Sequence, residues 1–189
     1  MAKNPKKEAV TPVVYQMRIT LKKIKPPIWR TFQVKSDINL KALHKTIQIV
    51  MGWADSHLHE FIISGLSYGD PEQEVGLDEK KFRLNKLNLR EKDKFIYVYD
   101  FGDNWEHQIL IEKILPMDEK TQYPVCLKGK RSCPPEDCGG TCGYADILNV
   151  LSDSNDPEYD DLVEWIGGGY DSELYDIEKT NRQLRRSRK

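Results

Sequence analysis

No apolar run in this 189-residue chain approaches the roughly 20 residues that a membrane-spanning helix needs. The opening Met1-Ala2-Lys3-Asn4-Pro5-Lys6-Lys7-Glu8 has none of the apolar segment of a secretory signal. A cytoplasmic protein with no membrane partner is therefore expected. Cysteine is scarce: there are four, all within residues 126–142, and a reducing compartment argues against disulfides between them. There is little net charge, −1 overall, although charged residues make up 31% of the chain and hydrophobic ones 39%. That balance excludes a wholly disordered polyelectrolyte and fits a solvated surface around a sizeable core. No basic helix with interleaved aromatics marks a nucleic-acid surface. Gly167-Gly168-Gly169 lacks the following Lys and Ser/Thr of a phosphate loop and reads as a helix stop.

What is present is a central aromatic hairpin. Phe95, Tyr97, Tyr99 and Phe101 alternate before Gly102-Asp103-Asn104, and Trp105, His107, Ile109 and Ile111 alternate after it, the period of two expected of half-buried strands. Gly102 and Asn104 supply positive φ for a short loop. A three-residue loop would pair Asp100 with Glu106 and Tyr99 with His107, and two opposed carboxylates need a cation, a base or a shared proton.

Around the hairpin, strands are expected at 14–24, 28–35 and 57–64. Asn39 caps a helix at about 40–51 carrying Leu40, Leu43, Ile47, Val50 and Met51 on one face, closed by Gly52. His44 shares that face and reads as a core or boundary residue. Trp29 reads as core, with neighbouring Arg30 paired to an acid. Residues 64–93 read as loop and insertion. Helices follow residue 143, the last from Asp176 to Arg186, docking through Ile177 and Leu184. The fold class expected is α+β: a mainly antiparallel sheet backed by the 40–51 helix and the C-terminal helices. Residues 1–12 are expected to be a disordered leader. Residues 13–187 are expected to form one domain, with a Cys/Gly/Pro-rich loop at 123–143 and helices over 144–187.

Two groups of residues carry candidate chemistry. His57 and His59, at i and i+2 on a strand, can both reach one metal and, with His107 or a carboxylate, leave an open coordination position. Cys126, Cys133, Cys138 and Cys142, in a Gly/Pro-rich stretch, suit either a structural zinc or free buried thiols.

Four motifs resemble the plasmid pRiA4b open-reading-frame-three-like family. They are Pro27-Ile28-Trp29-Arg30, then Met51-Gly52-Trp53 with His57-Leu58-His59-Glu60-Phe61, then Tyr99 to His107, and last Cys133-Pro134-Pro135-Glu136-Asp137-Cys138-Gly139-Gly140 with Gly143-Tyr144. The resemblance runs from about Tyr15 to Trp165, and Cys142 departs from it. It implies an association with mobile elements, since some members are labelled resolvase or transposon-passenger proteins and some carry a fused DNA-binding domain. No Ser nucleophile framed by an Arg cluster, as serine-recombinase chemistry requires, is apparent.

The leading expectation is a non-enzymatic binding or adaptor module, associated with mobile elements or nucleic acid, with protein as the other class of partner. Trp29, Arg30, His57, His59, Asp100, Asp103, Glu106 and His107 would line one cleft. One alternative is a metal-assisted hydrolase or nuclease using His57, His59 and a hairpin acid, with Glu106 or His107 as base. Another is an interaction protein stabilised by zinc at the cysteines.

Overall fold

The computed structural model describes residues 13–187; the leader expected at 1–12 lies outside the described residues. The strands are β1 (Val13–Leu21), β2 (Trp29–Lys35), β3 (His59–Ile63), β4 (Leu66–Gly69), β5 (Leu77–Asp78), β6 (Lys94–Tyr99), β7 (Trp105–Pro116) and β8 (Val125–Lys130). They form one sheet in the order β5-β4-β3-β6-β7-β1-β2-β8, antiparallel except where β4 meets β5. The helices are α1 (Leu40–Met51), α2 (Gly140–Leu151), α3 (Tyr159–Ile166) and α4 (Ile177–Arg186). This is the α+β class read from the periodicity.

Alternation sends Tyr15, Met17, Ile19 and Leu21 of β1 into the core, where they join Phe95, Tyr97, Tyr99, Trp105, Ile109 and Ile111 of the hairpin and the apolar stripe of α1. Asn39 accepts a hydrogen bond from the Ala42 amide, and Gly52 ends the helix at φ +101°, a conformation that costs glycine least. On the outer face a polar ladder runs across β2, β1 and β7: Gln33 donates to Gln16 (3.0 Å), and Gln16 donates to Glu112 (3.0 Å). The β8 edge is masked by Asn181 of α4, whose amide both accepts from the Cys126 N–H (2.8 Å) and donates to the Cys126 carbonyl (2.9 Å). A covered edge cannot recruit a foreign strand.

Several expectations need correction. The hairpin pairs Tyr99 with Trp105, Val98 with Glu106 and Tyr97 with His107, so its loop is five residues, 100–104. Positive φ falls on Asp100 (+57°) and Asn104 (+54°), not on Gly102. The reason is local: the Asp100 carboxylate accepts from the amides of Gly102 (2.9 Å) and Asp103 (3.3 Å). It folds the loop on itself and leaves Phe101 exposed. The Asp100–Glu106 pair does not form. Glu106 points outward and is ion-paired with Lys22 instead. The stretch read as insertion contains β4 and β5, and the Cys-rich loop contains β8. The first two strands are short, and the third takes its place from pairing with β2.

Candidate functional site

At one end of the sheet three chain segments meet. Loop 100–104 leaves β6. The 133–140 segment is tied down by the Trp53 indole N–H, which donates to the Pro134 carbonyl (3.1 Å), and by the Tyr99 hydroxyl, which donates to Glu136. Residues 53–58 run from α1 towards β3. Close approach holds the first two together, because a Cβ on Gly140 would sit 2.7 Å from the Asp103 carbonyl oxygen. Inside the 133–143 segment the spacing is tighter still: a Cβ on Gly143 would sit 1.7 Å from the Cys138 carbonyl oxygen. Glycine is required at both positions.

His57 stands in the resulting notch. Its Nδ1 lies 3.7 Å from Asp100 Oδ2 and its Nε2 lies 3.2 Å from Asp137 Oδ1, yet Nε2 makes no hydrogen bond. One ligand atom from each of His57, Asp100 and Asp137 lies within 4.8 Å of the other two. Asp103 Oδ2 nearby is buried and also without a partner. An imidazole facing two carboxylates can share a proton with them or, with them, hold a divalent cation.

A second group lies between α1 and β3. His44 is fully buried and His59 nearly so, and they stack face to face, with ring centroids 3.4 Å apart and planes at 4°. His44 Nδ1 is 2.8 Å from the Tyr97 hydroxyl, to which Gln48 also donates (2.9 Å), and His44 Nε2 is 2.6 Å from Asp55. The Gln48 amide can only donate to the hydroxyl, so the hydroxyl proton goes to Nδ1, and Nε2–H donates to Asp55. His59 Nε2 is 2.9 Å from the buried Glu79, and Lys41 Nζ lies 3.2 Å from the other Glu79 oxygen. Burial, and then the neighbouring His59, hold His44 down at about 4 against the opposing pull of Asp55. Burial pushes Glu79 up, but the hydrogen bond and charge of His59, together with Lys41, outweigh it and leave the carboxyl below its ordinary value.

The eight residues expected in one cleft therefore separate. His57, Asp100 and Asp103 are at the notch, and His59 belongs to the second group. Trp29 and Glu106 are on the outer face, with Arg18 lying 3.9 Å over the Trp29 ring. His107 is sealed in the core, where burial holds it down at about 3. Arg30 is also buried and, among the described residues, pairs with no acid. Its guanidinium donates to the carbonyls of Val50 (2.9 Å), Trp29 (2.8 Å), Lys130 (2.8 Å) and Arg131 (2.7 Å) and lies over the Tyr175 ring. It ties β2 to β8 and α1. His57 and His59 do not converge on one ion, because the strand begins only at His59 and His57 belongs to the preceding loop.

The cysteines do not converge either. Among the described residues, no His/Cys/Asp/Glu group placed to hold a metal contains a cysteine, and all four are free thiols. Cys126 faces the Tyr175 hydroxyl at 3.1 Å. Arg30 donates to Cys133 Sγ at 3.7 Å. Burial pushes Cys133 up to about 11 and Cys138 up to about 12, which makes them poor nucleophiles.

Asp55, Glu79, Lys41 and Asp137 were not anticipated as site residues. Asp137 lies inside the Cys133–Gly140 motif. Glu79 sat in a charged run, and nothing local distinguishes a buried member of such a run from a solvated one.

The family model for plasmid pRiA4b ORF-3-like proteins matches residues 13–179. The chain belongs to that family. It is 34% identical over 176 residues to the uncharacterized protein y4hQ of Sinorhizobium fredii (strain NBRC 101917 / NGR234), covering 90% of each chain. It is also similar to the crystal structure of a protein of unknown function, MM3350 from Methanosarcina mazei Go1. There the TM-score is 0.82 and identity 42%, with 88% of this chain and 97% of that one covered. Family membership supplies no ligand. The site chemistry rests on the geometry above, and among the described residues no helix is long and apolar enough to cross a membrane.

Proposed function

We propose that the protein is a cytoplasmic binding module, one domain over 13–187, whose recognition site is the notch between loop 100–104 and the 133–140 segment. His57, Asp100 and Asp137 hold a divalent cation there, and the cation bridges to an anionic group on the partner, nucleic-acid phosphate being the class tested first. The reading is carried by one observation: a single imidazole faces carboxylates from two separate loops at 3.7 Å and 3.2 Å, with no hydrogen bond to Nε2. An oxygen-rich set with one nitrogen suits Mn²⁺ or Mg²⁺.

Titrating metal-stripped protein with Mn²⁺ in a calorimeter tests this. One site lost in His57→Ala and in Asp100→Asn is expected, with Mn²⁺-dependent retention of a labelled DNA duplex in wild type alone. Equal Mn²⁺ binding by all three proteins would refute the reading. A cavity of about 370 Å³ beside His57, lined also by Lys41 and His59, favours metal-assisted hydrolysis as the second reading. Cleavage of the duplex in the same samples would select it.

A further inference from the structure

The stacked pair His44–His59 has more polar support than packing requires. His44 comes from the buried stripe of α1 and His59 from the inward face of β3, while Asp55 reaches in from the loop between them. Asp55 sits at φ +62°, and its amide donates to Gln48 Oε1 (3.1 Å), so its carboxylate is aimed rather than free to swing. One ligand atom from each of His44, Asp55 and His59 lies within 4.8 Å of the other two. Both histidines are more than nine-tenths buried, and so is Glu79.

We infer that His44, Asp55 and His59 form a second metal site, for a first-row transition dication such as Zn²⁺ or Co²⁺. Two imidazole nitrogens and one carboxylate oxygen are the donor set such ions select, whereas Mg²⁺ and Ca²⁺ prefer oxygen alone. Charge supports the assignment. Two carboxylates, Asp55 and Glu79, converge here against a single fixed cation, Lys41. Glu79 is fully buried while Asp55 is about two-fifths exposed, and negative charge held at a sealed carboxylate favours a counter-charge. A bound dication supplies that counter-charge. Tyr97 on His44 Nδ1 and Glu79 on His59 Nε2 are outer partners that fix ring orientation.

The geometry also says what must move. Lone pairs of two parallel rings run side by side and do not converge, so metal entry fans the His44 and His59 rings apart. Three protein ligands leave positions open towards the cavity of about 370 Å³ lined by Lys41, Ser56, His57 and Gln73. This site and the notch therefore flank the same cavity from two sides. The inference does not depend on the notch holding an ion.

Co²⁺ titration of the metal-free full chain tests it, followed by calorimetry and by visible absorption, which reports nitrogen ligation. Wild type is expected to bind Co²⁺ with a nitrogen-ligated spectrum, and His57→Ala, which removes a ligand of the notch alone, is expected to keep the part of that spectrum due to His44 and His59. Asp55→Asn keeps the shape of a half-exposed side chain and is expected to fold, with affinity lowered by about tenfold or more. His44→Gln removes that part of the spectrum. Circular dichroism confirms folding of each variant. No nitrogen-ligated Co²⁺ in wild type, unchanged affinity in Asp55→Asn, or loss of the whole spectrum in His57→Ala but not in His44→Gln would each overturn the inference. The last would point to the notch. Failure of Mn²⁺ binding at the notch leaves this result standing, so the two proposals fail separately.

Discussion

His57 and His107 both lie in motifs that a sequence reader would mark as functional, yet they inhabit opposite environments. His57 is about a quarter exposed, with an acid on each side. His107 is fully buried against the edge of Trp53 (centroids 5.3 Å apart), and its Nδ1 lies 3.3 Å from the Tyr97 carbonyl. The first stands where loops meet and charge is available. The second is a neutral member of an aromatic core. The chemistry of a residue type is thus set by the segment that delivers it: a loop end brings it to other loops, whereas an inward strand position brings it to the sheet's own neighbours.

The comparison breaks most severely at Gly143. Because a Cβ there would stand 1.7 Å from the Cys138 carbonyl oxygen, Gly143→Ala must break the turn that leads from Cys138 into α2 and so distort the 133–140 wall of the notch. A loss of about 3 kcal/mol or more is expected, read as a fall of roughly 6–12 °C in thermal midpoint. Cation binding at the notch is expected to go with it, while His107 remains shielded in its NMR spectrum.

A smaller effect sharpens the core side. The unfolded imidazole of His107 takes a proton near its ordinary value of 6.5, whereas in the fold burial delays this to about 3. Between those values the unfolded chain binds more protons, so stability is fully present above 6.5 and falls as pH drops. The slope is about 1.4 kcal/mol per pH unit for the one group. His44, held at about 4 by burial and His59, adds to the slope over the upper part of the range. Urea midpoints measured from pH 7 to 4 are expected to show a shallower fall in His107→Gln, which carries no titrating ring. An unchanged slope would mean that His107 is not the sealed residue described.

The smallest effect is expected on the outer face. The ion pair of Glu106, about a quarter exposed, with Lys22, its one ion pair among the described residues, is worth about 0.5 kcal/mol or less. Glu106→Gln should leave cation binding at the notch untouched. A loss of binding there would mean that the outer face and the notch are coupled.

Much of the frame was legible because it depends on neighbours in sequence. The alternation of Tyr15 to Leu21, the Asn39 cap, the Gly52 stop and the apolar stripe of α1 are each decided within a few residues. The hairpin was legible as a hairpin, but its register was not. The Asp100 carboxylate folds back on the amides of Gly102 and Asp103, a side-chain bond that moved every pairing by two residues along one strand. The candidate sites were harder to read. His57 and His59 suggested one ion through their spacing, but strand β3 starts between them and sends each to a different group.

By itself the sequence determined the α+β class, the family and the inward faces of the long strands and α1, because periodicity is a property of the local backbone. It also determined that the histidines and acids needed for metal chemistry were present. Only the tertiary structure decided which of them meet. Asp55 and His59 are brought to His44 by the return of the chain from α1 into β3, and Glu79 by the 3.0 Å hydrogen bond from its amide to the Gly69 carbonyl at the end of β4. Asp137 is brought to His57 by glycines that let two loops touch. Those contacts join residues up to 80 positions apart, and no local pattern encodes a distance of that kind.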